Sequence, residues 1–142
     1  MSQQENIDAT KKFGEAANTG NFELFNEVVA QGAVDHDPAP GQGVGPEGFR
    51  QFFTELRSAF PDLKIEVEHM VTDEDNVAFA YTVTGTHQGD FMGVPATGKR
   101  ISARGMQIGR YENGKLVERW GSSDELGILK QLGQVNIDPT AR

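Results

Sequence analysis

Apolar residues recur every three to four positions through the first sixty residues of this chain, and from Leu63 onward they alternate. The helical period predicts a helix over residues 6–18. After "NTGN" it predicts a second, short helix with Asn21 as its cap and Phe22, Phe25, Val28 and Val29 on one face. "GAVDHDP" reads as a short extended segment, followed by a glycine-rich loop through Gly45. A third helix opens at Pro46 and carries Phe49, Phe52, Phe53, Leu56 and Phe60 as a stripe until Pro61 stops it. "LKIEVEH" then sets Leu63, Ile65 and Val67 against Lys64, Glu66 and Glu68, a strand with one wet face. "TDEDN" is a turn, "VAFAYTVTGTH" a second strand, and residues 89–99 a long loop. "ISARGMQIGRY" and "KLVERWG" flank Asn113-Gly114, the strongest short hairpin signal in the chain. A last helix closes near Gly133, with a loosely held tail beyond it. Strands joined by hairpin-like turns, with helices elsewhere, predict an α+β fold with a mainly antiparallel sheet and helices on one face.

Composition narrows the class. A chain of 142 residues, 37% hydrophobic and 24% charged, is expected to be one soluble globular domain. Its net charge of −8 repels nucleic acid and anionic membrane surfaces. Cysteine is absent, which excludes disulfides, thiolate nucleophiles and thiolate metal sites. No apolar run could span a bilayer and no secretory h-region opens the chain, so a cytoplasmic location is expected.

Candidate chemistry gathers at "RWGSSDELGILKQLG". Ser122 and Glu125 have capping-box spacing, which leaves Asp124 free of the cap. Unbroken alternation puts Leu116, Glu118, Trp120, Ser122 and Asp124 on one face, and the large indole is expected to be buried. Asp124 then lies at the rim of a pocket as a candidate acid/base. His36, in "VDHDP", is a candidate to polarise a substrate carbonyl; its two flanking aspartates cannot converge with it on one metal ion. His87, in "GTHQG", is either a ligand contact or a residue that shapes the glycine loop after it. Tyr81 shares parity with His87 and is a pocket-lining candidate. Phe53 suits the core first and is also a candidate ligand contact. Phe91 on the long loop suits a lid or a subunit contact. Met106 is a ligand-contact candidate on a strand with apolar residues on both faces, and with Ile108 it motivates a homodimer. "GVGPEG" lacks the preceding strand and the lysine of a phosphate loop. No histidine pair has first-shell spacing, so neither metal nor organic cofactor is expected.

Five segments, in order, extend these readings: "VDHDPAPGQGVGPEGFRQFF", "AFPDL", "TGTHQGDFMGVPATGK", "ENGKLVERW" and "DELGILKQLG". Together they closely resemble the SnoaL-like polyketide cyclases, also called ester cyclases, within the nuclear transport factor 2-like fold. The resemblance spans residues 6 to 133. It implies a curved sheet wrapped by helices into a cone, a deep pocket, and a frequent dimer. It also implies intramolecular aldol ring closure without metal or cofactor, with Asp124 at the position of the family's acid/base aspartate. The function expected is therefore a cofactor-independent cyclase acting on a small apolar carbonyl compound. The alternative is a non-catalytic small-molecule binding module of the same fold, and a third possibility is a structural dimer domain with a filled cone. The discriminating feature is a carboxylate pointing into an enclosed apolar pocket beside a second polar group.

Overall fold

The computed structural model describes residues 2–135; the tail beyond Val135, expected to be loosely held, lies outside the described residues. The elements in chain order are α1 (Gln3–Thr19), α2 (Leu24–Val28), β1 (Val29–Asp35), α3 (Gly45–Ala59), β2 (Lys64–Thr72), β3 (Asn76–Thr86), β4 (Arg100–Glu112), β5 (Lys115–Ser123) and α4 (Glu125–Gln131). The strands form one curved sheet in the order β1-β5-β4-β3-β2, antiparallel except for the parallel β1–β5 pair. This is the expected α+β architecture. The second helix is shorter than its apolar face suggests: Val29 opens β1 and pairs with Leu116, as the β-branched Val28-Val29 pair favours. The β4–β5 hairpin turns at Asn113 and Gly114, with φ of 53° and 73°, the left-handed pair that a two-residue turn requires.

Helices α1, α2 and α3 cover the inner face of the sheet. Their core is aromatic: Phe13 meets Phe25 and Phe49 edge-on, with ring centroids 5.0 and 5.1 Å apart, and Phe53 packs beside them. Burying each of these rings contributes about 1.5–3 kcal/mol. The opposite, outer face carries no helix among the described residues and leaves large apolar side chains exposed. Met106 is 64% exposed, Ile108 45% and Trp120 37%.

A bulge in β5 decides which side chains take which face. Tyr111 pairs with Leu116 and Arg110 with Glu118, so Val117 is an extra residue and the alternation slips by one. Leu116 therefore points inward and is buried, whereas Trp120 aligns with Ile108 on the outer face. Arg119, between outward Glu118 and outward Trp120, points inward.

Candidate active site

Between α1, α3 and the inner face of the sheet lies an open cavity of about 1420 Å³. On the inner side of β4, Ala103, Gly105, Gln107 and Gly109 follow one another at alternate positions, and of these Gln107 lines the cavity. Gly105 and Gly121 permit two close approaches: a β-carbon at 105 would overlap the Tyr81 ring, and one at 121 would overlap the Arg119 guanidinium. Phe52, Phe53, Phe60, Phe79 and Phe91 make much of the lining apolar.

Among the polar groups of this wall, one shielded cluster is built on an ion pair. Arg119 Nη1 donates to Asp35 at 3.0 and 3.2 Å, and Arg119 Nε donates to Gln107 Oε1 at 2.8 Å. The ion pair is well shielded, with side-chain exposures of 13% for Arg119 and 5% for Asp35. Asp35 is itself fixed by Gln42 Nε2 and by the backbone N–H of Asp37. The neighbouring Tyr81 phenol has its pKa raised, chiefly by burial; the Arg119 charge opposes the rise and the Glu125 charge adds to it. Three donor groups of these lining residues have no protein partner among the described residues: Arg119 Nη2, Gln107 Nε2 and the Tyr81 hydroxyl. Carboxylates complete the wall. Asp37 accepts from Gly121 N–H, while Glu125 makes no hydrogen bond among the described residues.

The residues singled out from sequence divide into two groups. Tyr81, Phe53 and Phe91 line the cavity. The others do not. His36 stacks on Trp120 with ring centroids 4.8 Å apart on the outer face, and Met106 shares that face. His87 is fully buried beneath the loop it begins and is not part of the lining. Asp124 is exposed and caps α4, accepting from Gly127 N–H at 2.8 Å. The cap expected of Ser122 thus falls to Asp124. The reason is the sheet: β5 runs to Ser123, and Asp124 N–H still donates to Arg104 O, so no helix can start earlier. Asp124 borders a shallow outer depression with Arg104 and Met106 instead of the cavity. Arg119, Gln107, Asp35 and Glu125 were not singled out. One signal for Gln107 was present in "GMQIG", where a lone polar residue stands between two glycines of the same parity. Among the described residues no group of three or more histidines, aspartates or glutamates is set to hold a metal ion.

Comparison with known proteins identifies the family. A SnoaL-like polyketide cyclase family model matches residues 7–132. The aklanonic acid methyl ester cyclase DauD of Streptomyces sp. strain C5 is 31% identical over 135 residues, 90% of this chain and 81% of that protein. The nogalonic acid methyl ester cyclase of Streptomyces nogalater is 29% identical over 122 residues, 83% of this chain and 90% of that protein. Among solved structures, TsrD from Streptomyces laurentii superposes with a TM-score of 0.87 at 25% identity, covering 95% of this chain and 99% of its own. IdmH from Streptomyces antibioticus gives 0.79 at 32% identity, covering 90% of this chain and 98% of its own. With its curved, unclosed sheet, its helices and these cyclase relatives, the chain belongs to the SnoaL-like polyketide cyclases and is a cyclase-type enzyme.

Proposed function

We propose that the chain closes a ring in a small apolar carbonyl compound held in the cavity, by acid/base chemistry without a cofactor, and that Arg119, Gln107 and Tyr81 form its electrophilic pole. One observation carries this: on a wall rich in aromatic side chains, three donor groups of neighbouring lining residues have no protein partner among the described residues, the arrangement that stabilises developing negative charge on oxygen. Of the carboxylates around Arg119 and Tyr81, Asp35 is tied to Arg119 and Asp37 to Gly121, so Glu125, whose charge acts on Tyr81, is the one assigned to proton transfer. Glu125 takes a proton from the carbon next to a carbonyl, and the resulting enolate oxygen is held by the three donors. The enolate carbon attacks a second carbonyl of the same molecule, forming one C–C bond. The new alkoxide then recovers the proton from Glu125, so the product is an isomer of the substrate.

Gln107→Glu tests the pole, because the new carboxylate still accepts from Arg119 while the donor toward substrate is lost. On aklanonic or nogalonic acid methyl ester, the compounds named for the relatives, kcat should fall by about 10²–10³-fold. Glu125→Gln should lower it by about 10²-fold. Unchanged turnover in both variants would overturn the assignment, and binding without turnover by the native chain would make it a binding module.

A homodimer through the outer face belongs to the same proposal. Val34, Met106, Ile108 and Trp120 form an apolar surface that a second copy would cover symmetrically. Light scattering should give twice the chain mass, falling to the chain mass in Met106→Glu; a native monomer at micromolar concentration contradicts it. An acidic, cysteine-free chain of this kind suits a cytoplasmic site of action.

A further inference from the structure

His87 is the one fully buried histidine among the described residues, and the cavity chemistry makes no use of it. Its ring is committed on one side only. The Thr97 backbone N–H donates to Nδ1 at 3.1 Å, and Thr97 Oγ1 lies 2.9 Å from the same nitrogen. An Nδ1 that accepts carries no proton, so the imidazole is neutral with its hydrogen on Nε2. That Nε2–H is buried and has no partner among the described residues. A buried donor left unpaired is destabilising, so stability alone does not explain a histidine here.

The loop that His87 begins explains it better. His87 N–H donates to Lys99 O, and Gly98 N–H donates to His87 O, both at 2.8 Å, closing the base of the loop. Gln88 and Gly89 N–H groups both donate to Ala59 O at the end of α3, which fixes that base to the helix. Beyond the base, Phe91 and Val94 bond to each other across a tight turn, with Met92 at φ 48°. Phe91 then reaches back to the cavity wall, where its ring meets Phe60 edge-on at 5.3 Å, and Phe60 in turn packs on the His87 ring at 5.5 Å.

We infer that His87 is a positioning residue for ligand capture: through Thr97 its Nδ1 sets the return of the 87–99 loop, and the loop in turn sets Phe91 as a wall of the cavity. The inference rests on the cavity being the substrate site. It assigns affinity for a flat apolar ligand to a residue that never touches that ligand.

Two substitutions separate this role from plain packing. His87→Asn retains an acceptor near the Nδ1 position, whereas His87→Phe retains a ring and leaves Thr97 N–H unpaired. The probe is 2-acetylnaphthalene, a flat apolar ketone, followed by NMR at the Gln107 side-chain amide so that binding at the outer face does not register. His87→Phe should weaken probe binding about tenfold and speed amide exchange at Thr97 and Gly98 about tenfold, the effect of losing one buried hydrogen bond. His87→Asn should restore both to within about threefold of the native chain. Phe91→Ala should weaken the probe while leaving Thr97 exchange slow, which keeps the test open if His87→Phe does not fold. Unchanged exchange at Thr97 and Gly98 in a folded His87→Phe overturns the inference, as does equal probe affinity in Phe91→Ala and the native chain. A native Gln107 amide that does not respond to the probe refutes the cavity as the binding site, and the ligand role of His87 with it. The exchange result, which needs no ligand, still decides separately whether the loop is anchored as described.

Discussion

Asp35→Asn is the most informative single change, because it removes one charge and almost no volume from the best-shielded ion pair. Oδ1 of the new amide can keep the Asp37 N–H and one Arg119 bond. The other position becomes an NH₂ facing Arg119 Nη1, 3.2 Å from the present Oδ2, and Gln42 Nε2, 3.1 Å away. Three donors then meet with no acceptor among them. Gln42 cannot relieve this by turning over, since its Oε1 already accepts from Ala39 N–H. At 3 Å and an effective dielectric near 20 the lost attraction is about 5 kcal/mol, and breaking shielded pairs typically costs about 3–5 kcal/mol. Water in the open cavity reaches Arg119 Nη2 and reduces the penalty, so the expected loss is about 2–4 kcal/mol. For a chain of this size that lowers the unfolding midpoint by about 5–15 °C. The control is Glu23→Gln, which breaks the Arg50–Glu23 pair. Its distance is nearly the same, 3.1 Å, but Glu23 is 75% exposed and Arg50 also has Glu47. That change should cost under about 1 kcal/mol and lose its effect in high salt. Urea unfolding of both variants at low and high salt gives the comparison. Equal small losses in the two would refute the claim that Asp35 and Arg119 form a buried, positioned pair.

Asp124→Ala should lower stability by about 1 kcal/mol through loss of the α4 cap, and Asp124→Asn by only a few tenths, because asparagine caps equally well. Both should retain turnover while Glu125→Gln loses it; a hundredfold fall in Asp124→Asn at unchanged stability would reverse that assignment. Tyr111, buried and hydrogen-bonded to Thr10 at 2.7 Å, has its phenol pushed up to about 12, mainly by burial. The unfolded phenol loses its proton near pH 10, so its share of stability is complete below that pH and declines as pH rises from 10 through 12. The loss should approach about 2–3 kcal/mol in alkaline urea titrations and be absent in Tyr111→Phe.

Much of the fold is legible in the residues themselves. The switch from a helical to an alternating period marks where α3 ends and the sheet begins. Asn113-Gly114 fixes the hairpin, and the phenylalanine stripe of α3 marks the face that meets α1. The faces of β5 are not legible, because alternation carries no sign of a bulge. One extra residue, Val117, sends Trp120 outward and Arg119 inward, the reverse of what the sizes and charges of the two side chains suggest. His36 follows Trp120 outward, and Asp124 lies outside the cavity lining, capping α4, because Ser122 and Ser123 remain in the strand. Tyr81 is legible because the extra residue opposite it, Glu68, belongs to β2 and leaves the alternation of β3 intact, while Phe53 follows from the stripe of α3 and Phe91 from the long loop. Asp35, seen only as a neighbour of His36, lies on the inner face by the same period of two that sends His36 out.

The reversed polarity of Arg119 and Trp120 is stable only because each has a partner that the sequence places far away. Arg119 enters the interior with its charge balanced by Asp35, 84 residues distant, and with Gln107 across the sheet. Trp120 leaves the interior but stacks on His36, which follows Asp35 directly on the same chain segment. The parallel β1–β5 pairing supplies both partners at once, since Asp35 lies opposite Arg119 in register. A strand slip of one residue would bury the indole in the cavity and strand the guanidinium outside, removing the electrophilic pole and the apolar outer patch together. The Val117 bulge therefore ties the proposed ring-closing chemistry to the proposed dimer surface. A variant that shifted it should lose both, whereas changes confined to one face, such as Gln107→Glu or Met106→Glu, should lose only one.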